Sequence, residues 1–226
     1  MGSMPSDSTS KEQIYRELRR SIIMGHRKSG ERLEIDDLRR SYATSVTPVR
    51  DALQMLSQEG LVTIKPRSGY FVTRITLKQL RDMLELRKIL ELAAVERAAQ
   101  LIGDEQLAGL RSVHAGYTGD DDLSYDRYTD ENRRFHVLLA EASGNQELAG
   151  ALGHLMDRLA RFMVLRRAGK SQEMSHQRII QALEARDVRQ ARQALLDELD
   201  LTREAILDDV IQEEAANWQV DSARQS

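Results

Sequence analysis

Apolar positions recur at helical spacing along almost the whole chain, and the pattern changes character only once. In residues 44–60, Val49, Ala52, Leu53 and Leu56 follow the polar pair Thr44-Ser45, and Gly60 closes the run. That pattern predicts a short helix with one buried face and one wet one. Residues 61–64 and 69–73 then read as two β-rich arms around Lys65-Pro66-Arg67-Ser68, a hairpin whose tip carries two cations. Upstream, Ile14, Leu18 and Ile22 predict an amphipathic helix over residues 11–24, and Ile35 and Leu38 predict a second over residues 33–42. Three helices followed at once by a basic hairpin make a winged helix-turn-helix.

Beyond residue 75 the helical period continues without a proline, since the three prolines stand at positions 5, 48 and 66. Residues 76–102 carry Leu80, Met83, Leu84, Leu86, Ile89, Leu90, Leu92, Ala93 and Ala94 as a wide apolar stripe, with Thr76 as the predicted N-cap and Gly103 as the stop. Further helices are predicted over residues 104–115, 124–142, 146–167, 171–185 and 188 to about 213, with an acidic loop at 119–122. The expected fold is mainly α: an N-terminal winged helix-turn-helix with a small β-hairpin wing, then an all-helical bundle of about six helices. Residues 1–10 read as a tag and disordered leader, 11–75 as the DNA-binding domain, 76–213 as the bundle and 214–226 as a flexible tail.

Charge sharpens this division. The chain as a whole carries −3, yet residues 11–75 hold 13 Lys or Arg against 8 Asp or Glu, a net of +5, and residues 76–226 hold −7. A basic head on an acidic body suits a protein whose head alone touches DNA. The wet side of the helix at residues 44–60 offers Ser45, Thr47 and Arg50, hydroxyls and a guanidinium suited to phosphates and base edges. There is no cysteine, so disulfides and thiolate chemistry are excluded. No apolar run approaches the roughly 18 residues of a membrane span, and the expected location is the cytoplasm.

The run GERLEIDDLRRSYATSVTPVRDALQMLSQEGLVTIKPRSGYFV resembles the DNA-binding domain of the GntR family of bacterial transcription regulators. That resemblance implies operator contacts at Ser45, Thr47 and Arg50, with Gly69 in the place of the family's wing-tip minor-groove residue and Arg67 beside it. One position departs from the pattern: Val46 stands where many members carry an arginine that helps read a guanine. In the bundle, Glu85-Leu86-Arg87 followed by LELAAVERAA, then NRRFHVLLAEASGN, then SHQRIIQALEARDVRQARQAL, is similar to the effector-binding (FCD) domain of the FadR branch.

The second resemblance implies a site. Metal-binding members of the branch use Asp and His four residues apart on one helix, a His on a later helix and another His 22 residues on. The matching positions here are Asn132, His136, His176 and Glu198. Both spacings are kept, while the chemistry has shifted to two imidazoles, one carboxylate and one amide. Two His and a carboxylate with an amide oxygen suit zinc, nickel or manganese. The other reading is a hydrogen-bonded polar pocket that meets its effector without an ion. Arg87, in the Glu-Leu-Arg element, is implied as a clamp for the carboxylate of a small organic acid, with Asn132, His136 and His176 as further effector contacts, or else it forms a salt bridge to Glu85 or another acid. Asn145 reads as a helix cap, and His26, His114 and His154 match no ligand position.

These features point to a ligand-responsive transcription regulator, a repressor acting as a homodimer on a palindromic double-stranded operator, without a membrane partner. The alternative is a metal-dependent hydrolase built on His136, His176 and Glu198. An enzyme would need a general base beside an open metal position, and the sequence holds no such set, no phosphate loop and no nucleophile motif.

Overall fold

A computed structural model describes residues 7–113, 122–165 and 169–223, with side chains placed for 11–113, 124–125, 127–164 and 173–212. The chain divides after Thr76 into two compact units.

The first unit contains α1 (Asp7–Ile23), β1 (Arg32–Leu33), α2 (Ile35–Ser41), α3 (Val46–Gln58), β2 (Val62–Lys65) and β3 (Gly69–Val72). Its core is Ile14, Leu18, Ile22, Leu38, Val49, Ala52, Leu53 and Leu56, each at most 2% exposed, so the residues that set the helical period are those that pack. Gly60, at φ 76°, ends α3 with its N–H donating to the Ser57 carbonyl. The sheet is antiparallel in the order β1-β3-β2, with Lys65 opposite Gly69 at the hairpin end.

One element of this unit differs from expectation. Residues 33–42 were expected to be helical throughout, whereas Arg32 and Leu33 pair with Phe71 and Tyr70, and helix begins only at Ile35. Leu33 is buried in the core from the strand side. Two residues of strand are too few to show an alternating pattern, so this third strand leaves no mark on the sequence.

The second unit is helical: α4 (Leu77–Leu101), α5 (Asp104–Ser112), α6 (Asp122–Glu141), α7 (Gln146–Leu165), α8 (Gly169–Glu184) and α9 (Val188–Ala223). Most of the expected acidic loop, and His114, lie outside the described residues. Val95, Ala98, Ile102, Leu110, Phe135, Leu139, Ile179, Leu183, Leu195 and Leu199 form one core cluster drawn from α4, the α4–α5 junction, α5, α6, α8 and α9. α9 continues past the predicted end at Glu213, across a stretch with neither Pro nor Gly to stop it.

The stripe on α4 also differs from expectation. Leu80, Met83, Leu84 and Ala94 are buried, but Leu86 and Ile89 are 46% and 59% exposed, and Ala93 is exposed too. The buried register instead includes Arg87 and Glu91. α4 ends at Leu101, two residues before the expected stop, and Gly103 is the N-cap of α5, its N–H donating to Gln106 Oε1 at 3.1 Å. Asn145 caps α7, its Oδ1 accepting from the Leu148 N–H at 3.1 Å. No helix among the described residues is long and apolar enough to cross a membrane.

Candidate functional site

Two regions carry exposed or buried polar groups that packing alone does not require. The first is the outer face of α3 with the wing. Ser45 is the N-cap residue in extended backbone (φ −80°, ψ 174°), yet its hydroxyl makes no capping bond. Ser45, Thr47 and Arg50 are exposed while Pro48, Val49 and Ala52 are buried, so the helix shows those three to solvent. Pro48 sits in the first turn, where its missing N–H loses no helical bond. Val46 is half-buried beside them.

Ion pairing separates the cations of this unit. Arg39 and Arg40 on α2 are tied to Asp36 and Asp37 of the same helix, and Arg27 and Arg19 to Glu31 and Glu59. Arg50 and Arg67 take part in no ion pair among the described residues. Lys65 lies with its Nζ 4.6 Å above the Phe71 ring, which holds that cation against the wing. Arg67 sits exposed at the turn with φ 62°, and Gly69 has φ 104°, a conformation that a side chain there would strain. Among the described residues, α3 and the hairpin tip thus each present one guanidinium outside any ion pair.

The second region is inside the bundle. His136 on α6, His176 on α8 and Glu198 on α9 are at most 1% exposed, and one ligating atom of each lies within 4.8 Å of the others. Glu198 Oε1 stands 3.3 Å from His136 Nε2 and 3.5 Å from His176 Nε2. Neither oxygen of this carboxylate makes a hydrogen bond among the described residues, although both are buried. The His176 ring stacks on Phe135 at 3.7 Å between centroids, which fixes its plane. Asn132 is buried one turn before His136.

Arg87 forms the salt bridge to another acid that stood as the alternative to a carboxylate clamp, and that acid is Glu91. Arg87 is 1% exposed, and its Nε donates to Glu91 Oε1 at 2.6 Å, while exposed Glu85 is not its partner. Its Nη2 approaches His136 Nε2 at 2.9 Å, and the other oxygen of Glu91 lies 2.5 Å from His136 Nδ1. A guanidinium has only donors, so Nε2 accepts in this arrangement and the ring proton sits on Nδ1, facing Glu91.

Electrostatics follow from this geometry. Burial opposes ionisation of Glu198 and Glu91, but for Glu198 the two imidazoles outweigh it and hold the carboxyl well below the ordinary range. For Glu91, His136 and Arg87 do the same. Burial likewise opposes a charged His136, yet Glu91 and then Glu198 outweigh it and hold its pKa above the ordinary histidine value. At His176 burial wins, and the ring is held below that value. A second proton on His136 would have to take Nε2 from Arg87.

Sequence reasoning did not single out Glu91, although a signal existed. It lies one turn after Arg87, in the register that buries Leu80, Leu84, Val95 and Ala98. A carboxylate in a buried register needs a cationic or hydrogen-bonding partner, and Arg87 stood at the right spacing. His26 and His154 are exposed and away from any such cluster.

The donor set fits a divalent transition ion: two imidazole nitrogens and a carboxylate converge, and among the described residues the carboxylate's buried oxygens have no hydrogen bond.

A winged helix-turn-helix followed by an all-helical bundle with a polar heart defines a DNA-binding transcription regulator. Residues 10–72 match the bacterial regulatory proteins of the gntR family, and residues 82–201 match the FCD domain. The HTH-type transcriptional repressor GlaR of Escherichia coli K12 is 31% identical over 209 residues, covering 85% of this chain and 95% of GlaR. YdhC, an uncharacterized HTH-type transcriptional regulator of Bacillus subtilis, is 28% identical over 193 residues, covering 81% of this chain and 85% of YdhC. The solved structure of E. coli McbR/YncC has the same fold, with a TM-score of 0.69 at 22% identity over 92% of this chain and 100% of that one. The chain belongs to the GntR family, with an FCD domain as its second unit. It is a transcription regulator and not a hydrolase.

Proposed function

We propose that the protein is a repressor that binds a two-fold operator as a homodimer in the cytoplasm and is controlled by a small organic acid, with a divalent transition ion, in the bundle. The observation that carries the ligand reading is Glu198, a buried carboxylate with no hydrogen bond among the described residues, between two buried imidazoles in a bundle whose other interior positions are largely apolar. Such a set is costly to bury without something to bind. His136, His176 and Glu198 would hold the ion, with Asn132 adjacent, and an ion bound there would offer an open position to a carboxylate. The relative GlaR is named as a repressor, which supports that sign of regulation. Two recognition helices in a dimer would meet half-sites about one helical turn apart. Native mass spectrometry with elemental analysis of the purified protein tests the ligand reading, since it reports both ion and acid.

On the DNA side, Ser45, Thr47 and Arg50 face the major groove, while Arg67 and Gly69 place the wing against the backbone and minor groove. Arg50→Ala is expected to weaken operator binding by roughly 1 to 3 kcal/mol with helical content unchanged. A gel-shift titration giving the same affinity for both proteins would remove α3 from the interface. Val46→Arg is expected to add a preference for guanine at one position per half-site. Selection from random DNA is the measurement, and an identical motif for the two proteins would place residue 46 off the bases.

A further inference from the structure

We propose that Arg87 is the protein's own cation at the buried cluster, and that a divalent ion and this guanidinium exclude each other at His136 Nε2. Glu91 is then the fixed point from which Arg87 turns toward an anionic ligand. The inference rests on the reading of the bundle as a metal and acid site, and adds how the two ligands are coupled.

Glu91 lies 2.5 Å from His136 Nδ1, which places the ring proton there and leaves Nε2 as an acceptor pointing toward Glu198, 3.3 Å away. Arg87 Nη2 occupies that acceptor at 2.9 Å. One lone pair cannot take both an N–H and an ion, and the guanidinium charge adds repulsion, so an ion ligated by Nε2 must displace Nη2. Displacement need not free the side chain. The bond from Nε to Glu91 Oε1, at 2.6 Å, is made by a different N–H of the guanidinium. Among the described residues Arg87 Nη1 has only the Met163 sulfur, at 3.5 Å and a weak acceptor, so this nitrogen has donor capacity to spare. A carboxylate gains it once the ion has taken Nε2. Ion and carboxylate therefore assist each other, by equal factors in both directions.

The test uses full-length protein and zinc alone as probe. In wild type at alkaline pH, nitrogen-15 spectra of the imidazole and guanidinium groups are expected to show His136 protonated on Nδ1 and bare on Nε2. Zinc should then move the Nε2 and Arg87 Nη signals while the Arg87 Nε–H signal keeps its hydrogen-bonded position. Zinc affinity by chelator competition is expected to rise about tenfold in Arg87→Met, with Arg87→Lys between that variant and wild type. Equal affinities in all three proteins, or Arg87 Nη signals indifferent to bound zinc, overturn the proposal while leaving the metal reading intact. No zinc bound by wild type or by either variant overturns both. Zinc bound by Arg87→Met but not by wild type supports the proposal, since the guanidinium then blocks the ion altogether. If the variants fail to fold, the wild-type spectra decide alone.

Discussion

Replacing Arg87 by Ala is expected to cost about 3 to 5 kcal/mol of folding stability, far more than the loss of any surface arginine. Arg87 and Glu91 are each 1% exposed, and their bond lies among packed helices, so truncation leaves a buried carboxylate with His136 as its remaining neighbour. The large figure is the penalty of the orphaned charge and not the net worth of the pair, which could be exchanged for apolar residues at little cost. The exposed Arg39–Asp36 pair makes the contrast, because water screens both groups and either can be solvated when its partner goes. Urea unfolding followed by far-ultraviolet circular dichroism compares Arg87→Ala with Arg39→Ala. The second variant should leave the midpoint essentially unmoved. A loss below about 1 kcal/mol for Arg87→Ala would mean that the network tolerates a missing charge, contrary to its burial.

This pair also shows where the sequence could be read and where it could not. In α3 the apolar positions are few and confined to one face, so Val49, Ala52, Leu53 and Leu56 define the buried side, and Ser45, Thr47 and Arg50 the wet one. In α4 apolar residues lie all round the helix, so periodicity alone could not choose a face, and it gave Leu86 and Ile89 an inward role they do not have. The more telling residues there were the polar ones, since Arg87 and Glu91 at a spacing of four mark the buried register by needing each other. Sequence spacing along α6 puts Asn132 and His136 on one face, but nothing in the sequence itself brings α8 and α9 to that face. The resemblance named His176 and Glu198, and the packing of the helices sets them within 4.8 Å of each other and of His136.

Zinc, nickel or manganese is expected to raise the melting temperature, and the size of the rise should depend on pH in one direction. An ion that binds the folded state alone adds about 2.7 kcal/mol at a hundredfold excess over its dissociation constant. At about 2 to 4 °C per kcal/mol for a chain of this size, that is a shift of roughly 5 to 11 °C. Each imidazole must be neutral to ligate. Glu91 and Glu198 outweigh burial at His136 and hold its pKa above the ordinary histidine value, whereas burial holds His176 below it. Above the raised value of His136 both rings are neutral and the ion's contribution is fully present. As pH falls through that value the proton returns to Nε2, and affinity drops by about tenfold per unit, the slope of one proton, because His176 does not yet compete. Melts with each ion and with chelator, at about pH 8 and about pH 6, on wild type and His176→Ala, give the measurement. The variant, with one ligand gone, should lose most of the shift at both pH values. A wild-type melting temperature indifferent to every ion and to chelator would leave His136, His176 and Glu198 as a polar pocket that meets the organic acid directly, with Arg87 as its resident cation.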